Sequence, residues 1–118
     1  MNLKLADTKG WVIESVSGLF KESERVTIKC DLGTIVLSHW HDCCEVVFVE
    51  DFDGDSKSLA GCKIMDFRED TSELEHAYGI SGHTFYNLIT DKHDAMIRWY
   101  GESNGFYSIS VDVSITAA

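Results

Sequence analysis

Side chains that can bind metals or act as nucleophiles are concentrated in His39–Glu45, which reads HWHDCCE. If Thr34–His41 is a strand, its period of two places His39 and His41 on one face and Trp40 on the other. Two imidazoles on one face, followed by the Glu45 carboxylate, are a common ligand set for a divalent transition metal. The competing interpretation is that one histidine is hydrogen-bonded and the other solvated at the end of a strand.

The spacing of Gly33, His39, His41 and Glu45 resembles most of the first motif of the cupins. That resemblance implies a small barrel in which His39, His41, Glu45 and His83 hold a divalent transition metal. The chain departs from the cupin pattern, because Gly54 follows Glu45 too late and the Pro and Gly of the second motif are missing. We therefore expect no cofactor and keep the metal site as an alternative.

The four cysteines are expected to be reduced thiols, since thiols stay reduced in the cytosol. Cys43 and Cys44 would point to opposite faces of a strand and so rarely bridge each other. Neighbouring carboxylates, including Asp42 and Glu45, oppose a reactive thiolate, so we predict buried structural cysteines. A disulfide between Cys30 and Cys62 is expected only in an oxidising compartment.

The length and charge of the chain limit its partners. Its 118 residues fit a single domain spanning 1–118. Ten basic against twenty acidic residues give a net charge of 10 − 20 = −10, which disfavours direct binding to nucleic acid or an anionic membrane. The sequence contains no membrane-spanning apolar run and no signal peptide, so a cytoplasmic protein is expected. It leaves open whether the chain forms a homo-oligomer.

Short segments rich in β-branched and aromatic residues predict a mainly β fold. We expect one antiparallel sheet, a sandwich or a small barrel, with a single helical turn at Ser56–Gly61 capped by a serine. The predicted strands are Trp11–Phe20, Arg25–Cys30, Thr34–His41, Glu45–Phe52, Lys63–Arg68, His83–Thr90, Ala95–Tyr100 and Phe106–Val113.

Turn residues predict how these strands connect. Asp31-Leu32-Gly33 and Ser103-Asn104-Gly105 are typical of hairpins, and Asp91–Asp94 is expected to reverse the chain. The acidic segment Glu69–Glu75 lacks apolar periodicity and is predicted to be a flexible surface loop. The stretch Asp51–Asp55 is predicted to be a turn with solvated carboxylates, because its glycine comes too early for a calcium loop.

A second candidate site lies near the C-terminus, where Arg98 and Tyr100 share one face of a predicted strand. Arg98 is expected to pair with Asp42 or Glu45, or else to recognise a phosphate or carboxylate on a ligand. In the second case an aromatic side chain would stack on the ligand. The predicted ligand-binding residues are therefore His39, Trp40, His41, Lys63, Arg98 and Tyr100.

Five segments in order, HDCCE, VEDFDGD, GCKI, HTFYNLIT and IRWYGESNGFYS, resemble a family of small uncharacterised proteins of bacteriophages and prophages. The resemblance covers residues 33–113 and brings no catalytic residue with it. It implies a non-enzymatic accessory protein that counters host antiviral defence by sequestering a small nucleotide-type signal or a host protein. One alternative is an acidic inhibitor or nucleic-acid mimic that uses Asp51–Asp55 and Glu69–Glu75. The other is a cupin-like metal protein or enzyme.

Overall fold

A computed structural model describes residues 2–118 as two four-stranded antiparallel sheets that enclose one core. This confirms the mainly β prediction and selects an open sandwich over a closed barrel. The first sheet has the order β1-β2-β3-β8 and the second has the order β4-β7-β6-β5. The strands are β1 Ile13–Ser17, β2 Arg25–Cys30, β3 Gly33–Ser38, β4 Val46–Asp53, β5 Ile64–His76, β6 Gly79–Thr90, β7 Asp94–Ser103 and β8 Asp112–Ala117.

The first sheet follows the alternation of its sequence. Strands β2 and β3 form the predicted hairpin, with Val26 opposite Leu37 and Ile28 opposite Ile35. These four side chains are almost completely buried, while residues between them along each strand are more exposed. The period of two therefore assigns the inner face of this sheet correctly.

The second sheet contains a long hairpin that the sequence does not indicate. Strand β5 continues to His76, so the prediction of a loop at Glu69–Glu75 was wrong. This segment lacks apolar periodicity because both of its faces are exposed. Pairing with β6, rather than packing, keeps it extended. The reversal at Asp91–Asp94 is confirmed by the antiparallel pairing of β6 with β7.

The last two strands do not form the predicted hairpin. Residues 104–111 cross from the second sheet to the first, where β8 pairs with β3, so the predicted strand Phe106–Val113 was wrong. The crossover passes close to Gly101, where an added Cβ would lie 2.8 Å from the Ile109 Cβ. A glycine is thus required for this close approach.

Two short helical turns complete the fold. The predicted turn is present as α1, Ser56–Leu59, and buries Leu59. Its cap is Asp55 rather than a serine, because the Asp55 carboxylate accepts a hydrogen bond from the Lys57 N–H at 3.1 Å. A 3₁₀ turn at Leu5–Thr8, which was not predicted from the sequence, lies against β5. Within residues 2–118, no helix is long and apolar enough to cross a membrane.

Candidate functional site

The connection between β3 and β4, residues 39–45, is built around one buried carboxylate. We call it the Glu45 loop. Strand β3 ends at Ser38, so the predicted strand through His41 was wrong at its end. The Glu45 carboxylate turns back into the loop and accepts hydrogen bonds from the backbone N–H groups of Asp42 at 3.1 Å and Cys43 at 2.9 Å. A single side chain therefore fixes the path of the chain between the two sheets.

Both histidines of the motif reach Glu45, although they are not on a strand. His39 Nε2 lies 3.1 Å from Glu45 Oε2, and its Nδ1 lies 2.7 Å from the carbonyl oxygen of Ser110. The Glu45 carboxylate and the Ser110 carbonyl oxygen are both hydrogen-bond acceptors, so the His39 ring lies between two acceptors. His41 Nε2 lies 3.0 Å from the Glu45 carbonyl oxygen and 3.5 Å from Oε1, with most of its side chain exposed.

The environment of Glu45 favours its ionised form. Burial by itself raises the pKa of this carboxyl, but hydrogen bonds outweigh that effect and lower the pKa to about 2. The stabilising bonds come from the backbone N–H groups of Cys43 and Glu45, the His39 ring and the Asp42 N–H. Glu45 is thus a stably charged anchor for the loop.

The four residues of the metal alternative do not form one ligand set. His83 lies on β6, where its Nε2 is 3.3 Å from Glu50 Oε1, and it does not contact Glu45. No group of three or more His, Cys, Asp or Glu side chains within residues 2–118 is arranged to hold a metal ion. The Glu45 oxygens already face N–H donors from the loop and from His39.

The cysteines divide into two kinds. Cys43 and Cys44 are exposed and joined by a disulfide, so the prediction of reduced, buried thiols was wrong for this pair. That prediction assumed a strand, whereas β4 begins only at Val46 and the two residues lie in a bend. Cys30 and Cys62 are free and buried, as expected. Burial, together with Asp31 and Glu14, raises the pKa of Cys30 to about 11.

A second group of side chains lies on the outer face of the second sheet. Strand pairing places Phe48 opposite Tyr100 and Tyr100 opposite His83, with ring centroids 5.8 Å and 5.5 Å apart. Phe85 follows His83 on the same face, with ring centroids 5.9 Å apart. The outer-face cluster consists of Phe48, Glu50, His83, Phe85, Arg98 and Tyr100.

Charge is largely compensated within the outer-face cluster. Arg98 Nε lies 2.8 Å from Glu50 Oε1, and the Arg98 guanidinium also approaches Asp51 at 3.7 Å. The first contact is an ion pair without hydrogen-bond alignment, since Arg98 Nε has no hydrogen-bond partner within residues 2–118. The predicted partners Asp42 and Glu45 are replaced by residues of β4, which pairs directly with β7.

Tyr100 is anchored on the same strand. Its hydroxyl donates a hydrogen bond to Glu102 at 2.9 Å. That bond, with smaller contributions from burial and from the charge of Glu50, raises the pKa of Tyr100. Arg98 and Tyr100 were predicted from the sequence, whereas Phe48, Glu50 and Phe85 were not. The available signal was their position at alternate residues of two strands.

Loops at one end of the sandwich carry a third group of exposed residues. At this end Val46 pairs with Glu102 in the second sheet, and Ser38 pairs with Asp112 in the first. The loops and strand ends here expose six large apolar side chains, which define the apolar loop end: Phe20, Trp40, Val46, Leu74, Tyr78 and Phe106. Only Trp40 was predicted as a site residue.

Two contacts hold parts of the apolar loop end in place. The Trp40 N–H donates to the Asp112 carboxylate at 2.8 Å, although 80% of the Trp40 residue surface is exposed. The turn that carries Tyr78 approaches the loop that carries Phe106, because an added Cβ on Gly105 would lie 3.9 Å from the Gly79 Cα. Tyr78 and Phe106 are each 89% exposed.

The six predicted ligand-binding residues thus occupy three places. His39, Trp40 and His41 belong to the Glu45 loop, whereas Arg98 and Tyr100 belong to the outer-face cluster. Lys63 is exposed near the other end of the sandwich, where its backbone N–H donates to Asp91 at 2.8 Å.

Comparison with protein families places the chain, whereas comparison with individual proteins does not. No curated protein and no solved structure matches the chain. A family model matches residues 7–113, a range that begins before β1 and includes the first two strands. The chain therefore belongs to the DUF7448 family, described as a domain of unknown function.

Proposed function

We propose that this protein is a non-enzymatic binding protein of a bacteriophage or prophage, which counters host antiviral defence by holding a host protein at the apolar loop end. One observation carries the proposal. Of the nine large apolar side chains that residues 2–118 expose, six lie at this end, including the three most exposed. Single exposed apolar residues need no explanation, but a group of them at one end is typical of an interaction surface.

The types of residue at the apolar loop end suit a protein partner. Trp40, Tyr78 and Phe106 are large, and aromatic anchors of this kind supply much of the binding free energy in protein interfaces. They lie on loops whose ends join strands of the two sheets, which limits the backbone entropy that is lost when a partner binds.

The charge of the surrounding surface favours a basic partner. Exposed acidic residues at this end outnumber the basic Lys21 and Arg25; they include Glu22, Glu24, Asp42, Glu73, Glu75, Glu102 and Asp112. With a net charge of −10, the protein would be steered towards basic surfaces, including those that normally bind nucleic acid. An acidic inhibitor of a host protein is the form of this function that we favour.

The biological setting rests on the motif resemblance to phage and prophage proteins. That resemblance implies the host cytoplasm, where the exposed Cys43–Cys44 disulfide would be open to reduction. A counter-defence protein needs no catalytic group. The buried carboxylate and histidine of the Glu45 loop are used in building that loop, which is consistent with a binding role.

The experiment is affinity capture from host lysate with matched variants. A Trp40→Ser/Tyr78→Ser/Phe106→Ser variant removes the aromatic anchors, and a Leu32→Ser/Met65→Ser/Ile89→Ser variant removes three exposed apolar residues elsewhere. Circular dichroism verifies that both fold. We expect one dominant basic host protein that the first variant fails to retain and the second retains. Equal retention by both variants would contradict the role of this end.

A nucleotide-type small ligand is the second candidate function. The outer-face cluster favours it, because its rings offer a stacking surface beside the Arg98 guanidinium. Thermal shift against cyclic and ADP-ribose-type nucleotides provides the test, since a ligand that binds the folded state raises Tm. A rise in Tm that disappears in Arg98→Gln would support this site. If no nucleotide raises Tm, this second candidate fails and the protein-binding function stands.

A further inference from the structure

Strand β5 has an open edge over its second half. It is the outermost strand of the second sheet, and its only strand partner within residues 2–118 is β6, apart from an isolated bridge near its start. The N-terminal segment covers the beginning of β5, since Leu5 and Ala6 line cavities with Met65, Phe67 and Glu69. Every residue of the segment 70–76 is exposed.

The hairpin register shows which backbone groups face this open edge. A two-residue turn joins His76 to Gly79, and the residues that flank such a turn form a hydrogen-bonded pair. Alternation then directs the N–H and C=O groups of Ser72 and Leu74 towards β6. In agreement, the Ser72 carbonyl oxygen is the atom nearest to an added Cβ on Gly82 of β6. The N–H and C=O groups of Thr71, Glu73 and Glu75 consequently point away from the sheet.

The negative charge on the edge of β5 favours a basic binding partner. Glu73 and Glu75 extend from one face of β5, and Leu74 extends from the other with 67% exposure. Edge-to-edge pairing with a second copy of this chain would bring these carboxylates together, and charged edges of this kind oppose self-association. A basic strand would instead neutralise them.

We propose that the free edge of β5 binds an extended basic segment of a partner protein, which adds a strand to the second sheet along Thr71–Glu75. The segment carries Lys or Arg at alternate positions, facing Glu73 and Glu75, with an apolar residue between them over Leu74. Strand addition is a common mode of peptide recognition, in which the main chain gives affinity and alternate side chains give specificity. The inference rests on the proposed function, because it names how part of a basic partner is held.

The test uses the full chain and a short synthetic peptide of alternating Lys and Val, titrated by isothermal calorimetry at low salt. We expect this peptide to bind. An otherwise identical peptide, N-methylated at the backbone positions that face β5, should bind at least about tenfold more weakly. This comparison leaves the protein unchanged, so it does not depend on any variant folding. Equal affinity for both peptides would overturn the proposal.

Protein variants locate the site. Glu73→Lys/Glu75→Lys should abolish binding, whereas Glu14→Lys/Asp53→Lys, which changes the net charge equally at exposed positions elsewhere, should not. Thr71→Pro removes an edge N–H and should weaken binding by about fivefold to tenfold, with Tm verifying the fold. An equal loss in both charge variants would indicate unspecific attraction and overturn the proposal.

The two proposals fail separately. The Trp40→Ser/Tyr78→Ser/Phe106→Ser variant should still bind the Lys-Val peptide, since its changes lie outside Thr71–Glu75. Capture of a host protein without any peptide binding would overturn strand addition alone. If the peptide binds but capture of the host protein does not depend on the aromatic residues, only the role of the apolar loop end would be overturned.

Discussion

The backbone N–H of Cys43 lies 2.9 Å from the Glu45 carboxylate, which is buried at the entrance to β4. The Glu45 side chain therefore turns back to the residues that precede it in the sequence and closes the loop that they form. Asp42 and His39 donate to the same carboxylate. The DCCE motif thus has a structural role, which is to fix the connection between the two sheets.

Glu45→Gln should destabilise the protein in a pH-dependent way. The folded-state pKa of about 2 lies below the ordinary value of 4.5, so the ionised carboxylate stabilises the fold above about pH 4.5. This contribution is lost as the pH falls towards 2. We expect the Tm of the variant to lie below that of the wild type at pH 7 and the difference to shrink towards pH 2. A difference that stays constant with pH would contradict the role of the charge.

Alkylation should distinguish the two pairs of cysteines. In denaturant without a reductant, iodoacetamide should modify only Cys30 and Cys62, because Cys43 and Cys44 are joined. After reduction, intact mass should show modification of all four cysteines. In the native protein Cys30 should react slowly at neutral pH, since its pKa of about 11 keeps the thiol protonated. Four adducts without reduction would disprove the disulfide.

Tyr86→Phe should cost about 1–2 kcal/mol of unfolding free energy. The Tyr86 ring is fully buried, and its hydroxyl donates to Glu69 at 2.6 Å. Tyr100→Phe is the matched control, because it removes a similar bond at an exposed site and should cost no more than about 0.5 kcal/mol. Urea unfolding measures the loss of unfolding free energy in both variants. Equal losses would contradict an effect of burial on the strength of the two hydrogen bonds.

Gly101→Ala should destabilise the fold by about 1–3 kcal/mol. The added methyl group would lie 2.8 Å from the Ile109 Cβ and 3.1 Å from the Ile109 carbonyl oxygen. The crossover would have to move away from the sheet. Glu102→Gln, at the exposed neighbouring position, should leave the free energy of unfolding almost unchanged. Chemical denaturation of the two variants tests the requirement for glycine. An unchanged free energy of unfolding in Gly101→Ala would refute this requirement.

The sequence predicts most individual strands, because alternation of apolar and polar residues is a local property. Strand β2 agrees residue for residue with its predicted bounds, and the hairpin at Asp31–Gly33 is present. The prediction failed for Glu69–Glu75, where strand pairing without burial leaves no periodicity to detect. It also failed for residues 106–111. Their apolar and polar residues alternate as in a strand, but this segment crosses from the second sheet to the first.

The sequence by itself determined the fold class, the approximate strand positions and the acidic character of the surface, since each follows from residue types and their local order. Only the tertiary structure decided that Glu45 is a buried anchor, that Arg98 pairs with Glu50 and that His83 lies apart from His39 and His41. It also decided that Trp40, Tyr78 and Phe106 lie at one end of the molecule. These relationships depend on which strands become neighbours, and such long-range pairing is set by the packing of the two sheets rather than by local sequence.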